Sequence, residues 1–154
     1  MTQVGIFSGH TGWVYTLAYG SDGYLYSGSR DDTVRKIDPS DMTQVGIFSG
    51  HTGDVWALAY GPDGYLYSGS GDNTVRKIDP LTMTQVGIFS GHTSWVWVLS
   101  YSPDGYVYSA SFDNSVRKIN PLDMTQVGIF SGHTDTILSL ATNISIVDLL
   151  GFTS

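Results

Sequence analysis

The sequence predicts an all-β fold, a propeller built from four-stranded antiparallel blades, and three observations lead to this prediction. An identical eleven-residue segment, Met-Thr-Gln-Val-Gly-Ile-Phe-Ser-Gly-His-Thr, recurs at positions 1, 42, 83 and 124, a spacing of 41 residues each time. A fixed period of this kind is typical of proteins whose units bury their apolar faces against their neighbours. Turn residues divide each repeat into four short segments, and no segment has the sustained apolar periodicity of a helical repeat.

The predicted strands of the first repeat span residues 13–19, 24–29, 33–37 and 43–48. The first is rich in aromatic and β-branched residues and ends at a Ser-Asp-Gly turn, where glycine accepts a positive φ. An Arg-Asp-Asp turn ends the second strand. The third ends at Asp38-Pro39, because proline cannot donate to a strand ladder, and the fourth ends before Gly50. Four short strands repeated at a constant period favour a propeller over a single sandwich or barrel.

The chain contains three full repeats and a partial fourth, which we predict to form a single unit over residues 1–154. The repeats are 1–41, 42–82, 83–123 and the partial repeat 124–154. This division predicts about four blades per chain. In the partial repeat, residues 135–141 fit a first strand, and the apolar tail at 144–152 either adds further strands or has no place in a blade. The near-identity of the repeats indicates recent amplification or deliberate construction.

Composition excludes several classes of function. The formal net charge is −7, and every acidic residue is aspartate, so we expect no nucleic-acid partner, because an acidic surface repels phosphate backbones. The absence of cysteine excludes disulfides, thiolate metal sites and a cysteine nucleophile. No apolar run is long enough for a membrane helix and no signal sequence is present, so we expect no membrane partner and a cytoplasmic location.

The order of motifs within a repeat resembles the WD40 family. Gly-His-Thr, an apolar strand, Pro-Asp-Gly and Ser-Gly-Ser-x-Asp-x-Thr-Val-Arg follow one another in the second repeat, and close variants occur in the first and third, whereas the fourth repeat keeps only Gly-His-Thr and an apolar strand. The resemblance implies a propeller in which the strand after Gly-His lines the central channel and the fourth strand is outermost. At the end of the third strand the family has a Trp-Asp pair, whereas this sequence has Ile37, Ile78 and Ile119 in place of the tryptophan. The repeats are also similar to quinoprotein-type propeller repeats.

The resemblance further implies a structural hydrogen-bond network in each repeat, reduced because the tryptophan is missing. It joins a histidine, an aspartate and a serine, and it fixes the turns. The histidine–aspartate pairs are His10 with Asp31, His51 with Asp72, and His92 with Asp113. We expect the isoleucines to add apolar packing where tryptophan would be.

Differences between the repeats concentrate just after Gly-His-Thr and just before the network aspartate. In WD40-like propellers these places lie on the top face, around the mouth of the channel. Tryptophan, arginine and phenylalanine are the residue types that dominate binding interfaces. We therefore predict a binding patch, although drift at unconstrained exposed positions would explain the same pattern. Its residues are Trp13, Arg30, Asp54, Trp95 and Phe112.

We predict no catalytic residue, no metal site and no cofactor. A Ser-His-Asp triad requires one activated nucleophile in a pocket, whereas here the same trio recurs in each unit, as a fold-building network would. One histidine per blade is too sparse for a metal ion, and no spacing fits a calcium loop. The Arg-Lys pairs at 35–36, 76–77 and 117–118 are interpreted as a solvated face, neutralised by nearby aspartates, that discourages edge pairing.

The ends of the chain predict self-association. Residues 2–7 form a fourth, outer strand without three strands before it, and WD40-like rings commonly close by pairing such a strand with the last blade. Because open ends leave unpaired edges and apolar faces, we expect a homodimer that forms one eight-bladed ring by strand exchange. A six-bladed dimer that excludes the tail, or a larger ring, is the alternative.

The resulting functional prediction is a non-catalytic scaffold that assembles head-to-tail and binds a protein or peptide on its top face. Two alternatives remain. A lectin-like propeller would bind glycans in repeated aromatic pockets, which ten tyrosines and four tryptophans allow. A propeller fragment or design would have no evolved ligand.

Overall fold

The computed structural model describes residues 5–135 and 139–140, and these contain twelve β-strands in three four-stranded antiparallel sheets. We call the sheets blades 1 to 3. Blade 1 consists of β1 (Val14–Tyr19), β2 (Leu25–Ser29), β3 (Val34–Asp38) and β4 (Thr43–Phe48). Blade 2 consists of β5 (Val55–Tyr60), β6 (Leu66–Ser70), β7 (Val75–Asp79) and β8 (Thr84–Phe89). Blade 3 consists of β9 (Val96–Tyr101), β10 (Val107–Ser111), β11 (Val116–Ile119) and β12 (Gln126–Phe130).

In every blade the strands pair in chain order, and the first strands of neighbouring blades lie against each other. The four predicted strands of the first repeat are confirmed to within one residue at each end. Within the predicted first strand of the fourth repeat, Asp135, Ser139 and Leu140 are described and lie outside any strand. Residues 136–138 and the tail from 141 lie outside the described part. Of the predicted outer strand 2–7, only residues 5–7 are described, and these have no strand pairing.

Each first strand contains a β-bulge at an aromatic residue. In blade 1 the register shifts between Val14 and Thr16, so that Tyr15 is the extra residue. The shifts in blades 2 and 3 lie at the equivalent positions, Trp56 and Trp97. A bulge redirects the side chain of the extra residue, and these three aromatic rings recur below in the candidate site.

The methionines that start the third and fourth repeats join neighbouring blades. Met83 and Met124 have left-handed backbone conformations, with φ of 53° and 59°, which is uncommon for residues other than glycine. Their side chains are buried against glycines of the preceding outer strand. A Cβ atom added to Gly46 would lie 2.7 Å from Cγ of Met83, and Gly87 has the same relation to Met124. The glycines are therefore required by the close approach of the next blade.

The apolar core lies between the blades. One cluster joins blade 1 to blade 2 and contains Tyr26, Val34, Phe48, Val55, Leu58, Leu66, Ile78 and Met83. The second joins blade 2 to blade 3 and contains Ala57, Tyr67, Val75, Phe89, Val96, Leu99, Val107, Ile119 and Met124. The clusters share repeat positions, so the 41-residue period reproduces the same interface twice.

Lys36 and Lys77 are not on a solvated face, so the sequence interpretation was wrong for these two residues, although the expected pairing with nearby aspartates is present. Lys36 and Lys77 are buried. The amine of Lys77 lies 3.1 Å from the carboxylate of Asp63 and donates to the carbonyl of Pro121 in the next blade at 2.7 Å. Lys36 makes the equivalent contacts with Asp22 and Pro80. Sequence alternation could not identify these lysines as buried, because their hydrogen-bond acceptor belongs to the neighbouring blade.

The two ends of the described arc leave matching faces uncovered. Leu17 of β1 is 60% exposed, whereas its equivalents Leu58 and Leu99 are each 8% exposed. At the other end, Phe130 of β12 is 55% exposed, whereas Phe48 and Phe89 are 5% and 6% exposed. In the other two blades, the residues equivalent to Leu17 and Phe130 are buried by a neighbouring blade.

The lysine bridge between blades provides a test of this packing. We expect Lys77→Met to lower the free energy of unfolding by roughly 1–3 kcal/mol, because the carbonyl of Pro121 loses its donor from Lys77 and the carboxylate of Asp63 loses its ion pair. Lys118 is the matched control, since it pairs with Asp104 at 2.8 Å and lacks an equivalent carbonyl contact among the described residues. In chemical denaturation, Lys118→Met should lower the free energy of unfolding by less than Lys77→Met does. Equal losses would contradict a role for the inter-blade bond.

Candidate functional site

Each blade holds one histidine between an aspartate and a serine. In blade 2, Nδ1 of His51 lies 2.8 Å from Oδ2 of Asp72, and Nε2 lies 2.7 Å from the hydroxyl of Ser68. The contacts of His10 with Asp31 and Ser27 are 2.9 and 2.7 Å long. Those of His92 with Asp113 and Ser109 are both 2.7 Å long. All three predicted pairs are therefore brought together, and we call the end of the blades that carries them the top face.

The aspartate of each network also holds the turn in which it lies. Oδ1 of Asp72 accepts hydrogen bonds from the backbone N–H and the hydroxyl of Thr74, and Oδ2 accepts one from the backbone N–H of Thr52. One carboxylate thereby joins the turn between β6 and β7 to the connection that enters β5. This bonding fixes the two backbone segments on which the variable residues of the top face are located.

Burial and hydrogen bonding act in opposite directions on these groups. Burial alone would raise the pKa of Asp113, but hydrogen bonds from Ser115, His92 and the backbone of Thr93 outweigh it and lower that pKa to about 2. Burial lowers the pKa of His92, partly opposed by Asp113. A neutral His92 that donates from Nδ1 to an ionised Asp113 and accepts from the hydroxyl of Ser109 satisfies both shifts.

The buried position of the serines decides what the trio can do. Ser27, Ser68 and Ser109 are almost completely buried, so their hydroxyls are inaccessible to a substrate in this structure. A nucleophile must reach its substrate, and the geometry therefore fits a network that holds the fold.

The isoleucines that stand in place of the family's tryptophan are buried, at positions 37, 78 and 119. Ile78 and Ile119 belong to the inter-blade clusters.

A ladder of aromatic rings crosses the top face, built from the bulged residues of the first strands. The rings of Tyr15 and Trp56 are stacked with centroids 4.1 Å apart, and those of Trp56 and Trp97 are 4.6 Å apart. The sequence analysis did not include these three residues in the patch. The signal was an aromatic residue at the same place in three repeats, but strand alternation does not reveal that a bulge turns it toward its neighbours.

The five predicted patch residues contact this ladder or one another. The guanidinium of Arg30 lies 5.4 Å from the ring centroid of Trp13, which meets Tyr15 edge-on. At the other end Trp95 meets Phe112 at 5.5 Å. The remaining patch residue, Asp54, accepts a hydrogen bond from the hydroxyl of Tyr15 at 3.2 Å. The structure thus gathers the variable positions into one continuous surface across three blades.

Two cavities open on the top face. The larger, of about 530 Å³, is lined by residues 10–13, 30 and 31 at the uncovered end of blade 1. The smaller, of about 180 Å³, lies between blades 2 and 3, and its lining residues are Gly53, Asp54, Trp56, Gly71 and Trp95. The indole nitrogen of Trp56 is buried and has no hydrogen-bond partner in the described structure.

Residues 5–135 and 139–140 contain no group of three or more His, Cys, Asp or Glu side chains that could hold a metal ion. This part of the chain also contains no helix with the length and apolar character needed to cross a membrane.

Comparison with known proteins gives a family model and a set of similar folds. The model described as "WD domain, G-beta repeat" matches residues 1–38, 42–79 and 83–120. The solved structure of U3-55K is similar to this chain with a TM-score of 0.80, and that of the RRP9 WD40 repeats with 0.79. Both are 23% identical, and the similarity covers 84% of this chain and 42% of each of theirs. The chain thus spans less than half of their length. No curated protein matches it.

The network can be tested by removing one aspartate. We expect Asp72→Ala to lower the free energy of unfolding by roughly 1–3 kcal/mol, because several buried donors lose their acceptor. Asp41→Ala is the control, since Asp41 also accepts from a threonine but is exposed, so the freed donors meet water. Chemical denaturation should show a clearly larger loss for the first variant. A loss no greater than that of the control would mean that the network does not stabilise the fold.

The lowered pKa of Asp113 predicts a pH dependence. Its pKa is about 2 in the folded chain and ordinarily 3.8, so the unfolded chain binds the proton first as the pH falls. The free energy of unfolding should therefore decrease from about pH 4 toward pH 2. At pH 4 the Asp113→Asn variant should have a lower free energy of unfolding than the wild type. Between pH 4 and pH 2 that free energy should decrease less in the variant, as measured by denaturation at several pH values. Parallel curves would contradict the assignment.

Proposed function

This chain belongs to the WD40 repeat family, and we propose that it is a non-catalytic scaffold that closes a propeller ring with a second copy of itself and binds a partner protein on its top face. The observation that carries the self-assembly is the pair of uncovered faces at the ends of the described arc. A second copy offers, at each end, the same residues that form the contacts between blades 1, 2 and 3.

The apolar surface on each uncovered face favours its burial. Covering a leucine such as Leu17 contributes roughly 1.5–3 kcal/mol, and Val14 and Tyr19 on the same strand are also exposed. The two faces differ from each other, so the contact is head-to-tail. Such contacts form a closed ring when their rotation closes, and open fibres when it does not. A closed dimeric ring would bury both faces.

The segment before β1 supports strand exchange. A Cβ atom added to Gly5 would lie 2.7 Å from Cγ of Met42. A Cβ atom added to Gly46 would lie at the same distance from Cγ of Met83. Phe7 meets His10 edge-on at 6.0 Å, much as Phe48 meets His51 at 5.8 Å. These residues therefore lie where the outer strand of a preceding blade would be. In the proposed eight-bladed dimer, residues 2–7 of one copy complete the last blade of the other.

Binding of a partner on the top face is supported by the exposed aromatic surface. Trp13 is 69% exposed and Trp95 is 48% exposed. Tryptophan and arginine are the residues most often found at the energetic centres of protein interfaces. The networks below hold the backbone of this surface in place, and a rigid surface loses little entropy on binding.

The self-assembly is tested by the mass of the chain in solution. Light scattering over a dilution series should give twice the 16.7 kDa of the chain. We expect Leu17→Asp to convert the dimer to a monomer, because it places a charge on the uncovered face of blade 1. Val45→Asp is the matched control, since Val45 and its equivalents are about half exposed in every blade. A monomeric wild type, or a dimer unaffected by Leu17→Asp, would refute the proposal.

A deletion separates the eight-bladed ring from its six-bladed alternative. Removal of residues 1–7 should weaken the dimer and lower its thermal stability if these residues complete the last blade of the partner. A dimer of unchanged stability after this deletion would refute strand exchange and favour a ring made from the six complete blades alone.

A further inference from the structure

The two variable positions of each repeat lie side by side on the top face. The backbone N–H of Gly71 donates to the carbonyl of Asp54 at 2.9 Å. Arg30 bonds to Trp13, and Phe112 to Trp95, in the same way. The backbone at these positions is therefore equivalent in the three blades, and differences between them arise from the side chains.

In blades 1 and 3 both side chains of the pair are large and touch each other. The guanidinium of Arg30 rests over the indole of Trp13, and the ring of Phe112 contacts Trp95. In blade 2 the pair is Asp54 and Gly71, so the space that a side chain fills elsewhere is the cavity of about 180 Å³. A Cβ atom added at residue 71 would lie 3.4 Å from the indole nitrogen of Trp56, so the two would be in contact.

The walls of this cavity combine aromatic faces with negative charge. Trp56 and Trp95 stand nearly parallel, with an interplanar angle of 21° and ring centroids 6.0 Å apart. Asp54 contributes the carboxylate among the lining residues. The pKa of neighbouring Asp32 is raised first by burial and then by the charges of Asp54 and Asp31, which places several carboxylates close together. The nearby cation, Arg30, lies over Trp13.

Indole faces and a carboxylate together recognise a cation. A guanidinium is planar, stacks on an aromatic ring and pairs with a carboxylate through two parallel hydrogen bonds, whereas an ammonium acts as a point charge. The chain itself holds a guanidinium against an indole at the equivalent place in blade 1. Its net charge of −7 also favours approach of a basic partner.

We propose that the cavity between blades 2 and 3 binds an arginine side chain in a basic segment of the partner protein. This inference rests on the proposed top-face binding and specifies its chemistry. The guanidinium enters where blade 2 has glycine at position 71, stacks on the exposed ring of Trp95, and pairs with Asp54.

The test uses the full chain and capped pentapeptides. The first probe is Gly-Gly-Arg-Gly-Gly, and the second replaces arginine by citrulline, which keeps the shape and removes the charge. Isothermal titration calorimetry should show the citrulline peptide binding at least about tenfold more weakly, with arginine binding weakened by salt. Asp54→Asn should lower the affinity for arginine by a similar factor. Gly71→Phe, which introduces the residue that blade 3 carries, should abolish binding.

Asp123→Asn is the matched control, because it removes the same charge from an exposed turn at the opposite end of the blades and should change affinity less than twofold. Equal binding of the arginine and citrulline peptides, or binding unaffected by Asp54→Asn, would overturn the inference. A panel of acidic, neutral and aromatic peptides shows whether only the arginine inference fails or the proposed protein binding on the top face fails as well. If one of these binds and the binding is lost in Trp95→Ala, the top face is a protein-binding surface with another specificity. If no peptide binds but a glycan array gives binding, both proposals fail.

Discussion

The contact between neighbouring blades is the interaction on which the rest of this structure depends. A single four-stranded sheet has two faces and cannot bury either by itself, so each blade buries its faces against its neighbours, and the contact recurs with the 41-residue period. Methionine in a left-handed conformation, glycine beneath it and a buried lysine that reaches the carbonyl of the next blade all serve this contact. Each of them makes a contact that reaches the neighbouring blade.

The His-Asp-Ser networks connect this packing to the surface. Each aspartate accepts hydrogen bonds from a turn on one side and from an incoming connection on the other, so one carboxylate holds both backbone segments of the top face. A surface fixed in this way can carry different residues in each blade without a change in the backbone. Trp13, Asp54 and Trp95 show this. The backbone carbonyl of each accepts a hydrogen bond from the backbone N–H of the residue just before the network aspartate.

The open ends and the top face place different demands on the chain. The end faces repeat the inter-blade contact and therefore suit another copy of the same chain. The top face varies from blade to blade and therefore suits a partner that is not repetitive. The glycine at position 71 has most consequence here, since it lines a cavity of about 180 Å³ together with Asp54, Trp56 and Trp95.

The sequence by itself determined the fold class and, to within one residue, the strand bounds of the first repeat, because these follow from period and turn chemistry. The pairing of His10, His51 and His92 with their aspartates was implied by the resemblance of the motifs to WD40 repeats. The sequence also located the variable positions, although not the aromatic ladder that joins them. Tertiary structure alone decided that Lys36 and Lys77 are buried and that Tyr15, Trp56 and Trp97 turn toward one another. The physical reason is the same in both cases. The lysine acceptor lies in the neighbouring blade, and the direction of each ring is set by a bulge and by the blade beside it.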